Sequence, residues 1–370
     1  MIFSKVRFCA DIGGIETPQC SSLVPERAVL SFLCEAREAM TVKRRTFIAL
    51  FGGAAAAWPL AAHGQKPGRV RRVGIVMPYA KGDSEYEARV RAFKEELAKL
   101  GWTEGGNVVF EEHWTTDNMD RVRAEAAALV ASSPDVIVTT GGRIVPVFMR
   151  LTRSIPIVLP SASDPVGVGY AQSLARPGGN ITGFTGFQLS MLGKSLDILK
   201  QIAPAIVRVA LIYNPDNPNS VVYRHISETS SASLAIELVN LPVHGLADID
   251  RAVTSLADRG NSGIFFLPDL TISALRDDVV ALVARRRVPA IYSEPFFVKL
   301  GGLAFYGADR MEGFRRSAGY VDRILRGEKP GDLLFQQPTK YELMINSTAA
   351  KALGLELSPA LLALADEVIE

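Results

Sequence analysis

The sequence predicts an α/β protein made of two doubly wound, parallel-sheet lobes. Three observations carry that expectation. From Val70 onward short apolar runs alternate with stretches of helical periodicity. The runs are rich in Val and Ile and continuous rather than alternating, as in parallel strands covered on both faces by helices. Near residue 205 the whole rhythm starts again.

Val70–Met77 (VRRVGIVM) reads as the first strand, ending at Pro78-Tyr79. Asp83–Leu100 follows with Val90, Phe93, Leu97 and Leu100 at helical spacing, and Gly101 closes it. Asn107–Glu112 is a second strand, and Met119–Ala131 a second helix opened by a capping Asp117 or Asn118. Asp135–Thr139 (DVIVT) is a short buried strand that leads through Thr140-Gly141-Gly142 into another helix. Ile155–Leu159 is the next strand and runs into Ser161-Ala162-Ser163-Asp164-Pro165.

In the second half Val207–Tyr213 (VRVALIY) mirrors the first strand, and Asn214-Pro215-Asp216-Asn217-Pro218 is a turn cluster. A helix to about Ala235, a strand near Glu237–Val243 and a helix over Ile249–Ala257 come next. Gly263–Leu267 (GIFFL) ends at Pro268-Asp269, and the helix Ile272–Arg286 leads to the strand Pro289–Ile291 and to Tyr292-Ser293-Glu294.

The chain has 370 residues, 48% hydrophobic and 22% charged, which suits two folded domains. Lys+Arg (41) nearly balance Asp+Glu (39), so no broad basic field points to nucleic acid. All three cysteines, Cys9, Cys20 and Cys34, precede Met40, which leaves the rest of the chain without a disulfide or a thiolate metal site.

Residues 40–64 have the layout of a secretory signal. Lys43-Arg44-Arg45 leads into the apolar run Phe47–Ala62, and small residues at Ala62 and Gly64 make Gln65 the expected mature N-terminus. Arg44-Arg45-Thr46-Phe47-Ile48 resembles the twin-arginine form. The alternative is a membrane anchor, but the run is diluted by Gly52, Gly53 and Pro59 and is shorter than the roughly 20 apolar residues a spanning helix needs. Residues 1–39 read as an extension upstream of a true start at Met40. The expected location is therefore the periplasm.

In open α/β sheets ligands bind beyond the carboxyl ends of the strands. The loops there hold Tyr79, Thr140, Gly141, Gly142, Ser161, Ser163 and Asp164 in the first half, and Asn214, Asp269, Tyr292 and Glu294 in the second. Facing each other, they would line one cleft. Hydroxyls and helix-terminal amides suit a carboxylate, whereas Asp269 and Glu294 suit an ammonium. An α-amino acid or similar zwitterion matches both, with Tyr79, Tyr292 or Tyr306 against an apolar side chain. Each residue also has a plainer reading. Asp164 and Asp269 also fit as helix caps, Tyr79 as a turn residue, Glu294 as a solvated charge, and the two glycines as relief of backbone strain.

No enzyme signature emerges. Gly167-Val168-Gly169 lacks the third glycine of a dinucleotide fingerprint, and neither a phosphate-binding loop nor a nucleophile elbow occurs. His63, His113, His225 and His244 are scattered, so no metal and no cofactor is expected.

The run Ser173-Leu174-Ala175-Arg176-Pro177-Gly178-Gly179-Asn180-Ile181-Thr182-Gly183, after Ser163-Asp164-Pro165-Val166, resembles the tryptophan/tyrosine-type substrate-binding family of ABC transporters. Gly101-Trp102-Thr103-Glu104-Gly105, Tyr320–Leu325, Gln337-Pro338-Thr339-Lys340 and Lys351–Leu355 extend the likeness, which covers nearly all of Lys43–Glu370. The resemblance implies a type I periplasmic-binding fold whose lobes, 65–183 plus about 307–335 and 184–306 plus about 336–370, are joined by a hinge. It implies a monomer that closes on a small-molecule solute and delivers it to ABC permease and ATPase subunits, touching the membrane only through the permease. Thr140-Gly141-Gly142-Arg143 departs from the small, Ala-rich stretch of relatives, and Arg143 either brings a cation into the cleft or points to solvent. A sensing module for a receptor kinase would use the same lobes, and an exported α/β enzyme would need a catalytic set absent here. The export signal stands where a repressor of this fold carries its DNA-binding headpiece.

Overall fold

A computed structural model of the chain describes residues 69–187, 189–220, 222–223 and 236–370. The signal at 40–64, the extension at 1–39 and most of the helix expected before Ala235 lie outside them. Each lobe is built on a sheet. The first has strand order β2-β1-β3-β4-β5, all parallel: β1 Arg71–Met77, β2 Val108–Trp114, β3 Val136–Thr139, β4 Ile157–Ser163 and β5 Ile181–Phe187. The second has order β12-β11-β10-β9-β8-β6-β7, with β6 Arg208–Tyr213, β7 Glu237–Pro242, β8 Ser262–Phe266, β9 Ala290–Tyr292, β10 Ala304–Ala308, β11 Tyr341–Asn346 and β12 Glu367–Ile369. Among the described residues only β10 and β11 pair antiparallel.

The helices between strands follow from local signals. α1 (Ser84–Lys99) opens on Asp83, whose carboxylate accepts from the Tyr86 amide, and buries Val90, Phe93 and Leu97 on the face read from the sequence. α2 (Met119–Ala131) is capped by Asn118 rather than Asp117. α3 (Val145–Leu151) follows β3, α4 (Leu189–Ile202) follows β5, and α5 (Leu246–Arg259) precedes β8. α6 (Leu270–Ala274) and α7 (Arg276–Arg286) lie between β8 and β9, and α8 (Phe296–Lys299) lies between β9 and β10. α9 (Arg310–Leu325) returns to the first lobe and packs on α1, β4 and β5. α10 (Ser347–Ala352) and α11 (Pro359–Leu364) finish the second.

Among the described residues the chain therefore passes between lobes three times: after Phe187, around Asp309, and between Gln336 and Tyr341. At the third passage Gln336 pairs with β5, donating to the Gly183 carbonyl at 3.0 Å and accepting from the Thr185 amide at 2.9 Å. Strand ends β1, β3 and β4 of one sheet and β6, β8 and β9 of the other come to the same gap. That gap is where open α/β sheets bind ligands.

Candidate functional site

A cavity of about 60 Å³ between the lobes is lined by residues from both sheets and their loops. Its first-lobe wall begins at β4. The register with β5 shifts around Ala162, and the bulge bends the strand where Ser161 and Ser163 face the cavity. Thr140 stands beside them, but its hydroxyl donates to the Ser161 carbonyl at 3.2 Å. Gly141 has φ +100, a conformation only glycine adopts without strain. Gly142 is required for a different reason: a Cβ there would overlap the side-chain amides of Asn217 and Asn219 across the gap.

The floor is aromatic. Tyr79 stacks on Tyr86 at an interplanar angle of 17°, and the Tyr86 hydroxyl donates to the Tyr79 hydroxyl at 2.5 Å. Burial pushes the Tyr86 phenol up to about 12, and Tyr79 is raised as well, so both stay neutral hydrogen-bonding groups. Tyr170 closes a side wall, its hydroxyl donating to the Gly142 carbonyl at 3.1 Å.

Two buried carboxylates come from the second lobe. Asp269 caps α6: one oxygen accepts from the amides of Thr271 (2.8 Å) and Ile272 (3.4 Å), the other from the Asn217 side chain (3.1 Å). Burial raises its pKa, opposed by those hydrogen bonds and by Arg143. The cap and the cavity readings of Asp269 are thus compatible, since it does the first while lining the second.

Glu294 is neither solvated nor an open acceptor. It is 7% exposed and meets two arginines of the first lobe, Arg89 Nη2 at 3.1 Å and Arg310 Nε at 3.1 Å. Arg89 also lies over the Tyr86 ring, and Arg310 donates to the Ser161 hydroxyl. Burial opposes the Arg89 charge, yet Tyr86 and Glu294 outweigh it and hold its pKa above the usual value. The negative charge expected of Glu294 toward an ammonium is therefore neutralised inside the site.

Of the twelve residues expected to bind ligand, Tyr79, Thr140, Gly141, Gly142, Ser161, Ser163, Asp269 and Glu294 line the cavity. The other four do not. Asp164 holds a turn, accepting from the Gly167 amide at 3.0 Å. Asn214 is buried beneath the wall, donating to Thr271 at 3.1 Å and accepting from the Asp216 amide at 2.9 Å. Tyr292 is sandwiched between Phe266 and Phe297 in the core, at centroid distances of 5.2 and 4.8 Å. Tyr306 stacks on Tyr341 across the antiparallel pair β10–β11. Arg143 turns toward the second lobe, donating to the Thr271 hydroxyl at 3.3 Å.

Asn217 belongs to the turn cluster expected at the cleft, whereas Tyr86, Arg89, Tyr170, Asn219, Ser273 and Arg310 on the wall were not anticipated. Arg89 had a visible signal, since it lies on the same helical face as Tyr86 and Phe93, where a charge is out of place. Among the described residues no group of three or more His, Cys, Asp or Glu side chains is placed to hold a metal, and no helix is long and apolar enough to cross a membrane.

A family model described as ABC transporter substrate binding protein matches residues 73–369. A tyrosine-binding protein of Clostridioides difficile (strain R20291) is 25% identical over 267 residues, 72% of this chain and 76% of the relative. The structure of a conserved domain protein from Vibrio cholerae O1 biovar eltor superposes with TM-score 0.75 at 27% identity, covering 81% of this chain and 100% of that one. A Streptococcus pneumonia ABC domain in complex with L-Trp gives the same TM-score at 20% identity, covering 81% and 99%.

Proposed function

Because the chain belongs to the ABC transporter substrate-binding protein family, and is therefore a binding protein rather than an enzyme, we propose that it captures an α-amino acid with an aromatic or large apolar side chain by closing its lobes. The observation that supports the ligand class is the division of labour in the cavity. Ser161, Ser163 and the nearby Arg310 guanidinium present donors from one lobe, while Asp269 presents a carboxylate from the other. A carboxylate and an ammonium on one carbon fit that opposition, and Tyr79, Tyr170, Leu159, Leu270 and Phe314 offer apolar surface for a side chain. The names of the relatives, one tyrosine-binding and one bound to L-Trp, support the same class.

In this reading the polypeptide is exported through the segment 40–64, works in the periplasm and hands its ligand to the permease and ATPase chains of an importer. The three passages near 187, 309 and 336–341 serve as the hinge. A ligand closes the lobes only by binding the closed form better than the open one. Isothermal titration calorimetry of the purified protein with L-Trp, L-Tyr, L-Phe, L-Leu, L-Glu and a sugar tests the ligand class. Saturable binding of the aromatic or apolar amino acids is expected, and binding of the sugar alone would reject it.

A further inference from the structure

Native interiors leave few buried polar atoms without a partner, and one left so on a cavity wall marks a place where a bound molecule belongs. Asn219 is such a residue. It is 4% exposed, it lines the cavity, and its Oδ1 accepts no hydrogen bond among the described residues. Its neighbours explain why nothing inside the protein serves it. The backbone amide of Asn219 is already given to Asn217 Oδ1 at 3.1 Å, and the Asn217 amide is given to the Pro268 carbonyl and Asp269. Both asparagine side chains therefore hang over Gly142 with Asn217 fully engaged and Asn219 Oδ1 open.

One turn further on, Tyr223 repeats the condition. Its amide donates to the Asn219 carbonyl at 3.1 Å, so the two residues share a helical turn. Its hydroxyl is buried and makes no well-formed hydrogen bond among the described residues. Among the described residues Ser163 approaches as a partner, and Asp269, Arg310 and Asp164 are the charges around it. The ring is fixed edge-on to Phe187 at 5.6 Å, so the hydroxyl has no freedom to turn away. Two unserved polar atoms thus share one turn of the second lobe, Asn219 Oδ1 on the cavity wall and the Tyr223 hydroxyl behind it beside the wall residue Ser163.

We infer that Asn219 and Tyr223 determine specificity: Asn219 Oδ1 accepts an N–H from the ligand's ammonium beside Asp269, and the Tyr223 hydroxyl donates to a ligand oxygen near Ser163. This rests on the zwitterion reading above and names the residues that enforce it. An amide oxygen only accepts, so the ligand must bring a donor to Asn219. A molecule lacking that donor leaves a buried acceptor unpaired, which is how a polar pocket rejects a close analogue.

The test compares two ligands on three proteins by calorimetry: L-tyrosine and its desamino analogue 3-(4-hydroxyphenyl)propanoate, on the wild type, Asn219→Leu and Tyr223→Phe. The wild type is expected to prefer L-tyrosine by at least about a hundredfold, and Asn219→Leu to shrink that preference at least tenfold, chiefly by weakening L-tyrosine. Tyr223→Phe should weaken L-tyrosine by about tenfold while the ligand-free melting temperature stays level or rises, because an unserved buried hydroxyl is removed. An Asn219→Leu protein that discriminates as the wild type does, or a Tyr223→Phe protein with unchanged affinity, overturns the assignment of that residue. A wild type that binds neither compound nor any other amino acid overturns the zwitterion reading itself, and the inference with it.

Discussion

The two buried carboxylates of the cleft, Glu294 and Asp269, differ in where their partners come from. Glu294 follows β9 and is held by Arg89 and Arg310, both from the opposite lobe. Asp269 follows β8 and is held by backbone amides and the Asn217 side chain of its own lobe. The first arrangement exists only while the lobes are together; the second survives their separation. A carboxylate whose partners lie across a gap acts on closure, whereas one whose partners travel with it is available to a ligand in either state. The cleft thus separates holding shut from recognising.

The largest effect that would break this contrast is on closure. Removing one partner of a buried pair leaves charge uncompensated, at a cost of about 3–5 kcal/mol. Glu294→Gln would leave Arg89 and Arg310 facing a neutral amide in a site where each is less than a tenth exposed. Opening the lobes lets water solvate both, so the expected response is a shift toward the open form. Small-angle scattering should show a larger radius of gyration for ligand-free Glu294→Gln than for the wild type. An unchanged radius with lost ligand discrimination would exchange the two roles.

Next in size is Asp269. Asp269→Ala removes an ammonium partner, worth about 1.5–3 kcal/mol for a charged hydrogen bond, and a helix cap worth about 1 kcal/mol. Affinity for an amino acid should fall on the order of a hundredfold, since 1.4 kcal/mol is tenfold. Asp269→Asn keeps an acceptor for the Thr271 amide and should restore the melting temperature but not the affinity. Equal loss of affinity and stability in both variants would mean that Asp269 is only a cap.

How far the sequence reached follows the same division. Strands such as Val207–Tyr213 and Gly263–Leu267 were legible because a fully buried parallel strand must be apolar throughout. β5 (ITGFTGF) and β10 (AFYGA) were not, since their glycines and threonines break the apolar run although every residue of β5 is buried. The expected lobe boundary at residues 183 and 184 falls inside β5 for that reason. The loops of the cleft could be placed from topology alone, which located eight lining residues. Side-chain direction could not: Tyr292 alternates away from Ile291 into an aromatic stack, and a three-residue strand carries no pattern that says which of its residues faces the ligand. Arg310 was out of reach too, because it meets Glu294 only once α9 has crossed back to the first lobe.

Protonation distinguishes the recognising carboxylate from the structural ones. Burial raises the Asp269 pKa, so its protonated form is favoured in the folded state; its contribution to stability is fullest below the unfolded value and is lost as pH rises. An ammonium needs the ionised form, so amino-acid affinity should fall as pH drops through the acid range, and Asp269→Asn should flatten that profile in calorimetry. Asp135 and Asp309 run the other way. Despite some desolvation, the Arg72 amide and Arg71 hold Asp135 low, and the Glu312 amide and Lys340 hold Asp309 low. Their stability is present above about pH 4, the unfolded carboxylate range, and is lost as pH falls through their depressed values. Ligand-free melting should therefore also decline in acid, and Asp269→Asn should leave that decline in place.

The smallest effect lies at the rim, where Lys299 Nζ meets Glu85 at 2.9 Å. This pair also crosses between the lobes, so geometry alone would rank it with Glu294. Solvation does not. The Lys299 side chain is 47% exposed, and an exposed pair contributes about 0–1 kcal/mol, less when salt screens it. Lys299→Ala should leave the radius of gyration unchanged at 0.15 M salt and raise it at most slightly at low salt. If instead it opened the lobes as far as Glu294→Gln does, closure would be spread over the whole rim, and the buried carboxylate would lose its separate role.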